Sequence, residues 1–136
     1  MNGQTDAPPQ YLLLFRNTDF DRQCPPDVAG EVMERWNAWV ERLRADGTMA
    51  GGHPLRPEGR VVSKSKGRPI SDGPFAEAKE AIGGYILLNV SDMDEAMAVA
   101  RQCPALDHGM TVEVRPVAPV CGPHERLAQH ARHATA

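Results

Sequence analysis

The chain has 136 residues, which suits one domain, and 41% of them are hydrophobic, so the chain can bury a core. Its 15 basic and 18 acidic residues give a formal net charge of -3, which argues against a nucleic-acid-binding protein because such proteins usually present a basic face. No apolar run is long enough to cross a membrane, and the opening "MNGQTDAPPQ" lacks the basic and apolar regions of a signal peptide.

The first predicted elements are a strand and a long helix, which follow a polar lead-in over residues 1–10. The run "YLLLF" (Tyr11–Phe15) is continuously apolar, which predicts a strand buried on both faces. Asp27 follows two prolines and is predicted to cap the helix, and Gly47 is predicted to end it. The apolar residues of this helix repeat at helical spacing and are Val28, Val32, Trp36, Val40 and Leu43, with Met33 and Trp39 beside them.

The middle of the chain is rich in turn residues. "GGHPLRPEG" is predicted to be a connector, and "RVVSKSKGRPIS" predicts a hairpin that turns at Lys66–Gly67. The stretch "DGPFAEAKEAIGGY" (Asp72–Tyr85) then combines a turn, charged side chains, a glycine pair and an aromatic residue. The pair Gly83–Gly84 does not lead from a strand into a helix, so we expect it to allow close backbone approach rather than to bind phosphate.

A strand, a helix and a final strand are predicted after that stretch. "GYILLNV" (Gly84–Val90) is the second continuously apolar strand, and Ser91 with Asp94 resembles a capping box at the start of a helix. Residues Thr111–Val117 alternate between apolar and polar, which predicts the last strand. Residues 119–136 form a polar tail, for which we expect either no fixed structure or a short helix.

This element order, β-α-β-β-β-α-β, predicts an α+β fold, a ferredoxin-like split βαβ with an inserted hairpin. Both helices then pack on one face of the sheet. On the first strand we predict Leu12 and Leu14 to face the helices, which leaves Tyr11, Leu13 and Phe15 on the other side. On the second apolar strand, we predict Ile86, Leu88 and Val90 to face the helices and Tyr85, Leu87 and Asn89 to face away. An apolar sheet face of that size does not stay in water, so we expect a second copy of the chain to cover it.

The last strand adds polar groups to the same covered face. Val112 and Val114 suit the helix side, so Thr111, Glu113 and Arg115 are predicted on the other side. Charged groups there need partners or a wet cavity, which predicts a polar pocket between two sheets. The alternative is that Glu113 and Arg115 simply pair at the end of the strand.

Four sequence motifs follow one another in the second half of the chain. They are the quartet Asp72–Phe75, the Ala-Glu-x-Lys-Glu that follows it, the Gly-Gly-Tyr, and the Glu-Val-Arg-Pro at Glu113–Pro116. With these motifs, residues 11–118 resemble the YCII-related, or DGPF-domain, family. The resemblance implies a dimeric α/β barrel, in which two ferredoxin-like sheets close on each other.

The resemblance also implies two kinds of function. One branch similar to this family includes a dehydrochlorinase that acts on a chlorinated hydroxyquinol, with a His–Asp pair whose histidine lies on the first helix. The first predicted helix here has no histidine, and Trp36 or a neighbour stands in its place, so that pair is not carried over. Other DGPF proteins occur near, or fused to, alternative sigma factors, which implies a sensing or accessory role.

The candidate catalytic residues are three charged side chains of the Asp72–Tyr85 stretch. Asp72 is a candidate general base at the mouth of the cavity, and the alternative is a turn residue that accepts backbone hydrogen bonds. Glu80 is a candidate for proton transfer and Lys79 for orienting an anionic substrate, while the alternative for both is a solvated surface patch. The candidate ligand-binding residues are His53, Phe75, Tyr85, Glu113, Arg115 and Trp36.

The histidines and cysteines form no recognisable metal-binding motif. His130 and His133 lie in the tail, where histidines rarely have the fixed supporting contacts that a metal site needs, so we expect neither a metal nor a cofactor. His53 is the best-placed histidine for the rim of a cavity. The three cysteines are scattered along the chain, which favours reduced thiols in a cytoplasmic protein over a disulfide framework.

Two classes of function remain open. The first is a cofactor-free lyase, isomerase or dehalogenase-like enzyme that binds a small molecule and uses acid–base chemistry in the cleft of a homodimer. The second is a non-catalytic ligand-binding or accessory module linked to sigma-factor regulation. Neither class involves nucleic acid or a membrane. A bound molecule with a reactive centre favours the enzyme, and a ligand bound without turnover favours the module.

Overall fold

The computed structural model of the protein describes residues 8–65, 68–69 and 81–134. Its strands are β1 (Tyr11–Arg16), β2 (Met49–Pro54), β3 (Lys64–Ser65), β4 (Arg68–Pro69), β5 (Ile82–Leu88) and β6 (Thr111–Pro116). Its helices are α1 (Pro26–Ala45), α2 (Met93–Ala100) and α3 (Gly122–Ala134), and two 3-10 turns lie at Phe20–Arg22 and Leu106–His108.

Four of these strands form one antiparallel sheet in the order β2-β5-β1-β6. Helix α1 connects β1 to β2, and α2 connects β5 to β6, which is the arrangement of a ferredoxin-like α+β fold. Both helices contribute to one core with the same face of the sheet, since Trp39 of α1 and Ala96 of α2 are buried together with Leu13 and Leu88. The predicted fold class is confirmed for the single chain.

The predicted orientation of β1 is wrong. Leu13 and Phe15 are 0% and 2% exposed and belong to the core, whereas Leu12 and Leu14 are only half-buried and lie on the other face. The cause is aromatic packing, because Phe15 contacts the edges of Trp36 and Trp39 with ring centroids 5.1 Å and 6.3 Å away. A run in which every residue is apolar carries no alternation that could reveal this choice.

The orientations predicted for the other two central strands are confirmed. On β5, Ile86 and Leu88 are buried against the helices, while Tyr85 and Leu87 on the other face are half-buried. On β6, Val112 and Val114 pack against the core. On β6 the polar residues Thr111, Glu113 and Arg115 alternate with the valines and set the phase, whereas β5 carries no such alternation.

The segment predicted to be a connector after α1 is instead the edge strand β2. It pairs with β5 in antiparallel register, with His53 opposite Tyr85. Its glycines weaken the sequence signal of a strand, but the structure requires one of them. A Cβ atom at Gly52 would lie 2.6 Å from the carbonyl oxygen of Tyr85, so no larger residue fits without a shift.

The predicted hairpin is confirmed as a separate two-stranded sheet. Lys64 lies opposite Pro69 and Ser65 opposite Arg68, in antiparallel register. Lys66 and Gly67, the predicted turn residues, lie between these paired residues and outside the described part of the chain. The hairpin is therefore an insertion between the two strands β2 and β5 of the main sheet.

The starts of both helices differ from the predicted caps, whereas the predicted end of α1 at Gly47 is confirmed. Helix α1 begins at Pro26 and has no side-chain cap, so Asp27 lies in its first turn, where the helix dipole favours a carboxylate. At its end, Gly47 has φ of +79°, the left-handed conformation expected after a helix. Helix α2 is capped by Asp92 rather than Ser91, since Oδ1 of Asp92 accepts a hydrogen bond from the backbone N–H of Glu95 at 2.9 Å.

The tail contains a regular helix rather than a loose segment. Helix α3 follows β6 after a short loop, and its side chains are largely exposed; that of Leu127 is 70% exposed. Among the described residues, none of the helices combines the length and hydrophobicity that a membrane span requires.

Candidate functional site

The face of the sheet that is turned away from α1 and α2 carries both polar and apolar side chains. We call this surface the open face. Alternation along the strands assigns to it Leu12, Leu14, Arg16, His53, Tyr85, Leu87, Glu113 and Arg115. Of the described helices, α1 and α2 pack on the opposite face of the sheet.

One row of residues crosses the open face from edge to edge. The strand register places His53 of β2 beside Tyr85 of β5, Tyr85 beside Leu14 of β1, and Leu14 beside Glu113 of β6. Neighbouring strands are about 4.8 Å apart, so the three steps of this row span ~14 Å. That is enough space for one aromatic ring with its substituents.

The β2 end of the row is a hydrogen-bonded pair. Nδ1 of His53 lies 2.7 Å from the hydroxyl oxygen of Tyr85, and their ring centroids are 5.6 Å apart. The hydroxyl donates when Nδ1 is unprotonated, and Nδ1 donates when it carries the proton. His53 is exposed, whereas Tyr85 is half-buried. The pair can therefore hold a proton in either of two positions.

Backbone packing brings the two strands of this pair close together. Gly84 is buried beside β2, and a Cβ atom there would lie 3.1 Å from the carbonyl oxygen of His53 and 3.3 Å from Cα of Pro54. This contact agrees with the predicted role of the Gly83–Gly84 pair in close backbone approach. The contact also holds His53 next to Tyr85, which directly follows Gly84 in the sequence.

The β6 end of the row is charged. Nη1 of Arg16 lies 2.5 Å from Oε1 of Glu113, and Nη1 of Arg115 lies 3.7 Å from Oε2 of the same carboxylate. The side chain of Arg115 is 66% exposed, so its ion pair is weak, while those of Arg16 and Glu113 are 26% and 31% exposed. Two guanidinium groups therefore contact one carboxylate at this end.

An apolar floor separates the two polar ends. It consists of Leu12, Leu14 and Leu87, each of which is half-buried. Leu12 lies opposite Leu87 in the ladder between β1 and β5, and Leu14 lies two positions further along β1. A flat molecule on this floor would contact apolar side chains along its body, and its two edges would reach the polar ends. This combination of an apolar surface with a few polar groups is typical of small-molecule sites.

His53 also borders an open cavity of about 360 Å³ at the outer edge of the sheet. The other residues that line this cavity are Arg44, Met49, Ala50, Gly51 and Gly52. His53 therefore lies between the open face and solvent at the sheet edge.

The structure brings together four of the residues that the sequence marked as ligand-binding. His53, Tyr85, Glu113 and Arg115 all lie on the open face. Trp36 does not, because it lies on the opposite side of the sheet, with its ring 5.1 Å from Phe15. The remaining candidates, Asp72, Phe75, Lys79 and Glu80, lie outside the described residues.

Sequence reasoning missed Arg16, which forms the closest ion pair of the open face. The predicted strand ended at Phe15, whereas β1 continues by one residue. A signal was present, since Arg16 is two positions beyond Leu14 and therefore on the same face of a strand. Within the described residues, no group of three histidine, cysteine or acidic side chains is arranged to hold a metal ion.

Among solved structures, the chain is similar to a 5-chloro-2-hydroxyhydroquinone dehydrochlorinase from Burkholderia phenoliruptrix, determined in complex with 2,5-dihydroxybenzoquinone. The two share 16% sequence identity, and the match covers 85% of this chain and 97% of the other with a TM-score of 0.46. No curated protein matches the chain.

The family comparison covers nearly the whole sheet and its helices. The model of the YCII-related domain matches residues 10–120. This range includes β1 through β6 and both helices that pack on the sheet, and it contains the motifs Asp72–Phe75 and Glu113–Pro116. The chain therefore belongs to the YCII-related domain family.

Proposed function

We propose that the protein is a homodimer that binds a small molecule between the open faces of its two copies. The proposal is supported by the three leucines of the floor, which a single chain leaves only half-buried. Apolar sheet faces of this size are usually covered, and a second copy of the same chain is the simplest cover. The two copies would enclose a cleft with polar groups at both ends.

We further propose acid–base catalysis in this cleft, without a cofactor, as in a lyase, an isomerase or a dehalogenase-like enzyme. The observation that carries this proposal is the 2.7 Å hydrogen bond between His53 and Tyr85 on the open face. General acid–base catalysis requires a group that can both take and return a proton within hydrogen-bond distance of the ligand. Asp72 and Glu80 are candidates for the same chemistry, and Lys79 for binding an anion.

The second candidate function is a non-catalytic ligand-binding or accessory module. It is favoured by the sequence of α1, which contains no histidine, although the dehydrochlorinase branch of similar proteins has one there. A module would use the same cleft, with the polar ends fixing the orientation of a ligand that undergoes no reaction.

The test begins with the mass of the protein in solution. Light scattering at micromolar concentration is expected to give about twice the 14.9 kDa of one chain. A folded monomer would overturn the cleft, and with it both candidate functions. For a dimer, incubation with a chlorinated hydroxyquinol separates the candidates. Release of chloride supports the enzyme, whereas saturable binding of this compound without release supports the module.

A further inference from the structure

We infer that Tyr85 and His53 form a proton relay, and that the ligand is a planar aromatic or enolic molecule with an acidic hydroxyl group at one edge and negative charge at the other. The inference rests on the proposed function, because it places the ligand on the open face. It assigns Tyr85 as the catalytic residue that contacts the ligand and His53 as a positioning residue that acts through Tyr85.

The relay follows from how the pair is connected. The Nδ1–hydroxyl distance of 2.7 Å is that of a well-formed hydrogen bond, across which a proton can move. Within the described part of the chain, the Tyr85 hydroxyl is the single hydrogen-bond partner of the His53 ring, so Nε2 is left for solvent. A proton that reaches Nδ1 therefore has an exit on the opposite side of the imidazole.

The burial of the two residues gives the relay a direction. Tyr85 lies one strand in from the edge and is half-buried beside Leu14, whereas His53 lies on the edge strand, is exposed, and borders the open cavity. A ligand on the floor would thus meet the tyrosine hydroxyl first. The histidine connects that hydroxyl to solvent.

The proposed step conserves atoms and charge. The ligand O–H bond breaks and its proton passes to the hydroxyl oxygen of Tyr85, while the proton of Tyr85 passes to Nδ1 of His53. Tyr85 stays neutral, the ligand becomes an anion, and His53 becomes an imidazolium that releases a proton from Nε2 to water. The reverse sequence returns a proton to the product.

The charge at the other end of the row defines the other edge of the ligand. Glu113 lies two strands from Tyr85, a distance of ~10 Å, which one substituted ring spans. The side chain of Arg115 there is 66% exposed and its guanidinium group lies 3.7 Å from the carboxylate of Glu113, so it can contact a substituent that carries negative charge.

The probe for this inference is 4-nitrophenol, a planar phenol whose nitro group lies opposite its hydroxyl group. Its phenolate is yellow and its neutral form is not, so absorbance reports proton removal separately from binding. The titration is done on the full chain at a pH where the free probe is mostly neutral. Wild-type protein is expected to bind the probe and to increase its phenolate fraction.

Tyr85→Phe and His53→Gln are each expected to retain binding of the probe, measured by calorimetry. Each should lower the ratio of bound phenolate to bound phenol by ~10-fold or more, because each loses one hydrogen bond that stabilises a charged group. The double variant is expected to lose no more than either single variant, because both belong to one relay. Tyr11→Phe and His124→Gln are the matched controls, since Tyr11 packs against the core and His124 lies on the exposed helix α3.

The outcomes separate the inference from the proposed function. An unchanged phenolate ratio in the folded Tyr85→Phe protein overturns the relay, and so does wild-type binding of the probe in its neutral form; both leave the proposed function standing. If wild-type protein binds no 4-nitrophenol at millimolar concentration, the proposed ligand site and the relay both fail. Circular dichroism of each variant checks that the fold is retained.

Discussion

Phe15 of β1 and Trp39 of α1 pack with their rings nearly perpendicular and their centroids 6.3 Å apart. This contact directs the odd-numbered residues of β1 into the core, so that Leu13 is fully buried there. It directs the even-numbered residues, Leu12 and Leu14, to the open face. The aromatic pair thus determines which leucines stabilise the single chain and which are left for the proposed dimer contact.

Replacement of a leucine on the core side is expected to destabilise the fold without altering assembly. Leu13→Ala should lower the free energy of unfolding by about 2–5 kcal/mol, the usual cost of a cavity at a buried leucine. Chemical denaturation measures this loss, and light scattering measures the mass. Leu127→Ala is the control, since that side chain is 70% exposed and should change stability by no more than about 0.5 kcal/mol. Equal losses for the two variants would contradict the burial of Leu13.

Replacement of a leucine on the open face is expected to affect assembly. Leu14→Glu places a charge in the middle of the floor, which a second open face could cover only at a large desolvation cost. Light scattering should therefore report the mass of one chain at concentrations where the wild-type protein is dimeric. Val62→Glu serves as the control, because Val62 is 78% exposed outside the sheet. A Leu14→Glu protein that remains dimeric would argue for a different interface.

The pH dependence of stability should contain a contribution from Cys103. Burial raises the pKa of its thiol above the ordinary value of 9.0. The unfolded chain then loses this proton at lower pH than the folded chain, so the contribution is fully present below about pH 9 and is lost as the pH rises toward the folded pKa. In that range the unfolding free energy of the wild-type protein should fall with pH more steeply than that of Cys103→Ala. The two slopes should differ by at most ~1.4 kcal/mol per pH unit.

Cys121→Ala is the matched control for this measurement, because Cys121 is exposed. Its unfolding free energy should follow that of the wild-type protein through the alkaline range. The prediction fails if the two cysteine variants have the same slope against pH.

Asp72 can be tested as a site residue even though it lies outside the described residues. If it only holds a turn, Asp72→Asn should cost about 1 kcal/mol of stability, as loss of a capping-type bond does, and ligand binding should fall only with stability. If it is a general base or orients the ligand, the fold should persist while binding or turnover falls by ~100-fold or more. Glu80→Gln and Arg115→Met should then behave alike. Parallel loss of stability in all three variants, without a selective loss of binding, contradicts the site role.

Much of the fold could be predicted because the helices and the last strand carry clear patterns. Val112 and Val114 alternate with polar neighbours on β6, so that strand could be oriented correctly. The run "YLLLF" could be placed in a strand but not oriented, because the deciding contact is with Trp39, which lies far along the chain. The edge strand β2 was not predicted because glycine has a low strand propensity. Glycine is present there because the backbone of β2 lies close to that of β5.

The candidate site was predictable as a set of residues but not as an arrangement. His53 and Tyr85 were each identified from the sequence, yet their hydrogen bond depends on the register between two strands separated by a long connection. No local pattern specifies that register. Arg16 was missed for a smaller reason, since the predicted strand ended one residue too early.

The pairing of β2 with β5 also has a consequence for how the protein can vary. Pro54 lies opposite Gly84, so the long connection between these strands leaves the sheet and returns to it at fixed points. Each doubling in the length of a flexible loop costs only about 0.6 kcal/mol. A connection of a different length grafted onto the same two strands should therefore leave the His53–Tyr85 hydrogen bond in place. For protein engineering, the four-stranded sheet is the part to keep and the connection between β2 and β5 is the part to replace.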